Sequence, residues 1–89
     1  MRTDAEHHSR FVALVDEHQA AIRKVAALYA TDRADREDLF QEIVLQLWQS
    51  SGSLRGAAAV TTFVYRVALN TALLRLRRRY RRPTIDAGR

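Results

Sequence analysis

The residues of this chain best suited to chemistry are its arginines, which outnumber lysine fourteen to one. Six of them crowd into eight positions near the carboxyl end, namely Arg75, Arg77, Arg78, Arg79, Arg81 and Arg82. Nine of the ten acids precede Ile43, and no acid follows until after Ile85. A guanidinium group can make two parallel hydrogen bonds to a phosphate or a base edge. The segregated charge therefore predicts a polyanion partner, although cations also suit the end of a helix, where they compensate its dipole.

A set of polar residues recurs at helical spacing upstream of the arginine run. It comprises Thr62, Arg66, Asn70 and Arg77. Asparagine and arginine can read base edges, and threonine and arginine can hold phosphates. Phe63 and Tyr65 add aromatic surface for stacking on unpaired bases. The spacing is equally consistent with an ordinary polar helix surface in which Tyr65 is half buried.

A single leucine interrupts an otherwise polar helix face. Leu45 lies at the centre of the face formed by Asp38, Gln41, Glu42, Gln46 and Gln49. One exposed leucine is common and usually has no function. An acidic and amide-rich face around a leucine also suits a protein partner with a basic groove, so both interpretations stay open from spacing alone.

Catalytic and metal-binding patterns are missing from the sequence. His7 and His8 are adjacent in a polar leader, and His18 stands alone on an apolar stripe, with no carboxylate placed to complete a metal site. The sequence has no nucleophile–base pair, phosphate-binding glycine loop or paired carboxylates. We therefore expect no enzymatic activity, no catalytic residue, no metal and no cofactor.

The cellular setting follows from what the composition lacks. The chain has no cysteine, which fits a reducing cytosol, and we expect a cytoplasmic protein. No apolar stretch approaches the roughly 18 residues of a membrane span, so no membrane partner is expected. The first ten residues lack the apolar centre of a signal peptide.

Three helical patterns must position these residues. The first is predicted from about Ser9, a plausible N-cap, to Ala30; the second covers residues 34–49 and the third residues 60–81. Trp48 is expected in the core, buried against the first and third helices. The core stripe of the third is expected to comprise Val60, Val64, Val67, Thr71 and Leu74. Pro83 is expected to end that helix.

The predicted architecture is all-α, a compact bundle of three or four helices in one domain. Residues 1–8 are expected to form a flexible leader, residues 9–82 the helical domain, and residues 83–89 the start of a linker or tail. The segment 50–59 contains two glycines and is predicted to be a loop.

Two motifs in this order resemble a known family. The stretch Asp38-Leu39-Phe40-Gln41-Glu42, with Leu45, Leu47 and Trp48, resembles the polymerase-binding stretch of bacterial sigma factors of the extracytoplasmic-function (ECF) group. Leu54-Arg55-Gly56 and the segment 62–72 resemble that group's promoter-melting and minus-ten recognition stretch. The resemblance covers about residues 10–83 and implies a sigma region two.

The resemblance implies two partners and a set of contacts for each. Core RNA polymerase would be bound through the clamp helices of its largest subunit by Asp38, Gln41, Glu42 and Leu45. The non-template strand of the promoter minus-ten element would be bound by Arg55, Gly56, Thr62, Phe63, Tyr65, Arg66, Asn70, Arg77 and Arg78. Asn70 is the leading candidate for base readout. An anti-sigma factor is a third expected partner, which could cover the apolar residues Leu69, Leu73 and Leu76.

The chain departs from the family pattern at several positions. Phe63 stands where tryptophan is usual, Leu54 where phenylalanine is usual, and Leu74 where an acid is frequent. The loop residues 57–59 are alanines where polar side chains are common. These changes bear on promoter preference rather than on the fold. The family's second domain, which reads the minus-thirty-five element, is absent, so we expect the chain to be a fragment of a longer protein.

Two other classes of protein fit parts of the pattern. A stand-alone helical module could read closed duplex DNA, but its recognition helix would normally be shorter and follow a tight turn. A basic helical interaction domain could meet an acidic protein or a membrane surface. Binding to core polymerase separates both from a sigma region, since neither predicts it.

Overall fold

The structure is a computed structural model that describes residues 4–53 and 59–87, with the side chains of the last helix described as far as Tyr80. The described residues form four α-helices: α1 (Asp4–Glu17), α2 (Gln19–Tyr29), α3 (Arg33–Ser50) and α4 (Val60–Ala87). A short 3-10 helix, Ser51–Ser53, follows α3. The expected all-α fold is confirmed, and within the described ranges it has four helices.

The core lies where α2, α3 and α4 meet. Its buried apolar residues are Ile22, Val25, Ala26, Leu39, Ile43, Leu47, Val64, Ala68 and Ala72. Leu39, Ile43 and Leu47 are four residues apart, so they form one stripe along α3. The α1 helix contributes no fully buried residue and packs on the core through half-buried side chains such as Phe11 and Val15. The three later helices therefore enclose the core of the domain.

The first predicted helix is two helices, with a break at His18. The backbone of His18 has φ −110° and ψ 16°, outside the helical region. Its imidazole Nδ1 lies 2.9 Å from the Leu14 carbonyl oxygen, and Nε2 lies 3.3 Å from the Thr61 hydroxyl. The ring thus joins the end of α1 to the start of α4. Ser9, expected as an N-cap, lies inside α1, which begins at Asp4.

The N-terminus of α3 is capped by an aspartate side chain. The carboxylate of Asp32 accepts a hydrogen bond from the Asp35 backbone N–H at 2.8 Å. Asp35, in the first turn, in turn accepts from the Thr31 backbone N–H at 2.9 Å. These bonds satisfy donors that a helix start leaves unpaired, and they fix where α3 begins.

The expected end and core stripe of α4 are both partly wrong. The helix continues through Pro83 to Ala87, because a proline removes one backbone hydrogen bond without always ending a helix. Leu74, expected in the core, is 50% exposed. Val64 and Thr71 are buried as expected, and the other buried positions are filled by Ala68 and Ala72, whose small side chains let α4 approach its neighbours closely.

Trp48 was expected in the core and is not there. It is 39% exposed, at the carboxyl end of α3. Its rings lie against α1, 4.9 Å from the His7 ring and 5.0 Å from the Phe11 ring between centroids. His8 lies 6.2 Å away, edge-on. Trp48 therefore attaches the peripheral helix α1 to α3 and leaves the packing of the core to Leu47.

Candidate functional site

The polar face of α3 is exposed as predicted. Asp38 and Gln41 are exposed, and Leu45 between polar neighbours is 51% exposed. The opposite stripe of α3 is fully buried, so this face is the one left for a partner. Glu42, expected to belong to the same face, is half-buried and turned towards α4.

Ion pairs between α3 and α4 account for part of the arginine run. Arg75 donates from Nη2 to Asp35 at 2.5 Å and from Nη1 to Glu42 at 2.9 Å. Arg78 donates to the second oxygen of Glu42 at 3.0 Å, and Arg79 to the second oxygen of Asp35 at 3.1 Å. We call these five residues the α3–α4 charge network. Three arginines expected to form a purely cationic surface thus share two carboxylates within the domain, which offset two of their three positive charges.

The surroundings of Asp35 keep its carboxylate in the charged form. The backbone N–H of Thr31, followed by the guanidinium groups of Arg75 and Arg79, holds the pKa of Asp35 well below its usual range, against the opposing effect of burial. Burial alone would lower the pKa of Arg75, but the hydrogen bonds that its guanidinium donates to Asp35 and Glu42 outweigh burial and raise that pKa above its ordinary value. Both groups therefore stay ionised at neutral pH.

The outward face of α4 carries most of the residues predicted to meet DNA. Thr62, Arg66, Asn70 and Arg77 are exposed, as the helical spacing requires. Tyr65 is 39% exposed at the edge of this face, while Phe63 is half-buried against the core. Among the described residues, Arg66 and Arg77 form no ion pair, so their charge is directed to solvent. Arg55 and Gly56 lie outside the described residues.

A groove between α3 and α4 brings the two predicted sites together. It has a volume of about 180 Å³. Its walls comprise Glu42, Gln46, Ser50, Val67, Asn70, Thr71, Leu74 and Arg78. The amides of Gln46 and Asn70 can each donate and accept hydrogen bonds, so the groove offers polar readout beside a charged pair. Gln46 was placed on the polar face of α3 by its spacing, but its proximity to Asn70 depends on how the helices pack.

An apolar stripe runs along α4 beside its polar face. It comprises Tyr65, Leu69, Leu73, Leu76 and Tyr80. Leu69 and Leu73 are 37% and 39% exposed, and Leu76 is half-buried. Spacings of three and four residues keep these side chains on one side of the helix. Leu69 and Leu73 are thus exposed, Leu76 is less so than the sequence suggested, and the two tyrosines extend the stripe at both ends.

The described part of the chain holds no cluster of three or more potential metal ligands. In the same residues, no helix is long and apolar enough to cross a membrane.

Comparison with known proteins identifies the family. The model of the Sigma-70 region 2 family matches residues 14–82, close to the residues over which the resemblance was found in the sequence. The chain is 34% identical to RNA polymerase sigma-H factor of Pseudomonas aeruginosa over 82% of its length and 38% of that protein's. It is 32% identical to ECF RNA polymerase sigma factor SigM of Mycobacterium tuberculosis over 93% of its length and 46% of that protein's. It is 36% identical to ECF RNA polymerase sigma-E factor of Haemophilus influenzae over 82% of its length and 38% of that protein's.

The chain spans less than half the length of these relatives, and no solved structure matches it significantly. The family match covers most of the chain and fits the all-α fold. The chain therefore belongs to the sigma-70 region 2 family, which forms part of transcription initiation factors that are not enzymes.

Proposed function

We propose that this chain is the region of an ECF-group sigma factor that binds core RNA polymerase with α3 and holds the melted minus-ten element with α4. The observation that carries the proposal is the presence of two exposed faces of different chemistry on two helices that share one core. The face of α3 is acidic and amide-rich around a leucine, and that of α4 is cationic with an amide and aromatic rings. The relatives named as RNA polymerase sigma factors support this assignment.

On α3, the polymerase contacts are Asp38, Gln41, Leu45 and part of Glu42, directed to the clamp helices of the largest subunit. Leu45 supplies the apolar centre, and the acids and amides around it supply charge and hydrogen bonds to a basic partner. Apolar anchors surrounded by polar groups carry much of the binding energy in protein interfaces. Glu42 is the weakest of these candidates, because its carboxylate already binds Arg75 and Arg78.

The test compares two exposed leucines. Leu45→Arg should abolish binding to core polymerase, whereas Leu28→Arg, at a leucine 70% exposed on α2, should leave it unchanged. Circular dichroism should be the same for both variants, since neither side chain is buried. Equal binding by wild type and Leu45→Arg would remove α3 from the interface, and equal loss in both variants would point to a general effect of added charge.

On α4, the exposed side chains divide into those that hold the backbone and those that read bases. Arg66 and Arg77 neutralise phosphates regardless of sequence, together with the Thr62 hydroxyl. Asn70 can match only some base edges, so it is the residue that gives sequence preference. Tyr65, with part of Phe63, offers ring surface to an unpaired base. Capturing a base extruded from duplex costs a few kcal/mol, and stacking returns about 1–3 kcal/mol per base.

Three further residues complete the proposed DNA surface. Arg55 and Gly56 precede α4 in the sequence and are assigned by resemblance alone. Arg78 is assigned with a reduced contribution, because contact with phosphate competes with its bond to Glu42.

Regulation by an anti-sigma factor is a further part of the proposal. The apolar stripe of α4 leaves Leu69 and Leu73 partly exposed beside the cations of the same helix. A protein that covered the stripe would also cover the DNA-binding face, and so would block promoter binding. A sigma factor that binds core RNA polymerase and promoter DNA in this way would act in the cytoplasm.

A further inference from the structure

Among the side chains of α4 that the structure describes, those of fully buried apolar residues lie in the first half of the helix. Ala72 is the last fully buried apolar residue among those described, whereas α4 continues to Ala87. Leu74, on the next turn, is 50% exposed. Beyond Ala72, the α3–α4 charge network of Asp35, Glu42, Arg75, Arg78 and Arg79 ties α4 to α3.

Arg75 is the central member of this network. Its two terminal nitrogens contact two different carboxylates, Asp35 and Glu42, which lie seven residues apart on α3. Two contacts spread over two helical turns restrain the rotation of α4 as well as its distance from α3. The side chain of Arg75 is 22% exposed, and those of Asp35 and Glu42 are 10% and 27% exposed. Solvent therefore screens the ion pairs of Arg75 with Asp35 and Glu42 much less than an ordinary surface ion pair.

Arg75 is also poorly placed to serve DNA. Both nitrogens that would grip a phosphate in a fork are already bonded to carboxylates. Arg77, two residues later, is exposed and forms no ion pair with a described residue. Neighbouring arginines of the same run thus have different environments, one turned towards α3 and one towards solvent.

We propose that Arg75 is a positioning residue, which fixes the carboxyl half of α4 relative to α3 and does not contact DNA. The proposal rests on the proposed function, in which α3 is held by polymerase and α4 must present its cationic face along the path of the promoter strand. The orientation between the two helices matters only when both partners are bound. Replacement of Arg75 should therefore weaken the ternary complex of chain, polymerase and DNA, but not the binding of the chain alone to polymerase or to DNA.

The experiment compares Arg75→Met with Arg77→Met, which remove the same charge two positions apart. Three affinities are measured for each variant. They are the affinity of the chain for core polymerase, that of the free chain for the single non-template strand of a minus-ten element across a salt series, and that of the chain–polymerase complex for the same strand. Arg75→Met should change the polymerase affinity and the DNA affinity of the free chain by no more than about two-fold, and should weaken DNA binding by the complex about ten-fold, the scale of coupling within a charge network. Arg77→Met should weaken DNA binding by the free chain and by the complex to the same extent.

Each alternative outcome has its own signature. A loss of DNA affinity and salt dependence by Arg75→Met in the free chain, matching Arg77→Met, would make Arg75 a phosphate contact and overturn the proposal. Equal losses in all three affinities, with less folded protein by circular dichroism, would make its role one of stability only. A wild-type chain that fails to bind polymerase would refute the proposed function instead.

Two further variants keep the proposal testable should Arg75→Met fold poorly. Asp35→Asn should reproduce part of the ternary loss. Its effect should be less than additive with that of Arg75→Lys, because the two residues share one contact while each keeps another partner in the network. Arg75→Lys keeps the charge but cannot engage two carboxylates in fork geometry, so it should give an intermediate loss in the ternary complex alone. A fully additive double variant would contradict the shared mechanism.

Discussion

Arg77 and Arg78 are adjacent in the sequence, yet they should contribute unequally to DNA binding. Both were expected from the sequence to hold phosphates in the same way. Arg77 is exposed and forms no ion pair with a described residue, whereas Arg78 donates to Glu42 at 3.0 Å with its side chain 57% exposed. The prediction concerns Arg77→Met and Arg78→Met, each measured on the same single strand.

The magnitude for Arg77 follows from counterion release. One phosphate contact on single-stranded DNA contributes about 0.7 to the slope of log affinity against log salt. Between 1 M and 0.1 M salt, that slope corresponds to about five-fold in affinity. Arg77→Met should therefore bind about five-fold more weakly at 0.1 M salt and almost normally at 1 M.

The magnitude for Arg78 is smaller because it must first leave its partner. An exposed ion pair contributes about 0.2–1 kcal/mol, which is roughly 1.4- to 5-fold in affinity. Dividing the roughly five-fold gain of one phosphate contact by this cost leaves Arg78 with a contribution of roughly one- to four-fold in DNA affinity. Glu42→Gln should raise the DNA affinity of the wild-type chain slightly and that of Arg78→Met not at all.

Fluorescence anisotropy of a labelled strand, at four or more salt concentrations, measures both quantities. Leu28→Met, on α2, is a control that changes no charge. A loss for Arg78→Met equal to or greater than that for Arg77→Met would refute the argument that internal pairing withholds Arg78 from DNA.

Three further predictions concern stability and recognition. Ile43→Ala, at a fully buried residue, should lower the free energy of unfolding by about 3–4 kcal/mol, whereas Trp48→Ala, at a residue 39% exposed, should lower it by about 2–3 kcal/mol. Urea titrations followed by circular dichroism measure both, and a larger loss for Trp48→Ala would indicate that Trp48 belongs to the core. Asp35→Asn should cost about 1–3 kcal/mol at neutral pH. Because the pKa of Asp35 is depressed in the folded state, the wild type's advantage over Asp35→Asn should fade as pH falls below the ordinary value of 3.8; a constant difference down to pH 2 would contradict the charge network. Asn70→Ala should lose about 1–3 kcal/mol on a matched strand and little on a scrambled one, whereas equal losses on both would deny it base readout.

The parts of the fold that follow from periodicity were predictable. Ile22, Val25, Leu39, Ile43 and Leu47 are large aliphatic residues at spacings of three and four, and all are buried. Such residues have one favourable environment, so the pattern alone predicts their burial. The exposure of Leu45 was predictable for the converse reason, since its neighbours on the helix are polar.

Other features depend on contacts that the local sequence does not contain. Ala68 and Ala72 look unremarkable in the sequence, and their burial follows from the close approach of α4 to the other helices. The break at His18 has no glycine or proline to mark it. Trp48 could be assigned to a face of α3 but not to a depth, because the helix that covers it, α1, had been expected to start later.

The candidate site shows the same division. The outward face of α4 was predicted because it depends on one helix only. The charge network was not, because its members lie 33 to 44 residues apart in the chain. Glu42 and Arg78 were assigned to two different partners, and the structure places them in contact with each other. Long-range pairing of this kind decides which arginines of a cationic run are left for DNA.

The most direct test of the central claim is a competition between two forms of one minus-ten sequence for the chain bound to core polymerase. One competitor is the single non-template strand, and the other is the same sequence as closed duplex. A sigma region two, with amide and aromatic side chains directed to unpaired bases, should prefer the single strand, and Asn70→Ala should reduce that preference. Equal affinity for both forms, or a preference for duplex, would contradict the account and favour a module that reads closed DNA.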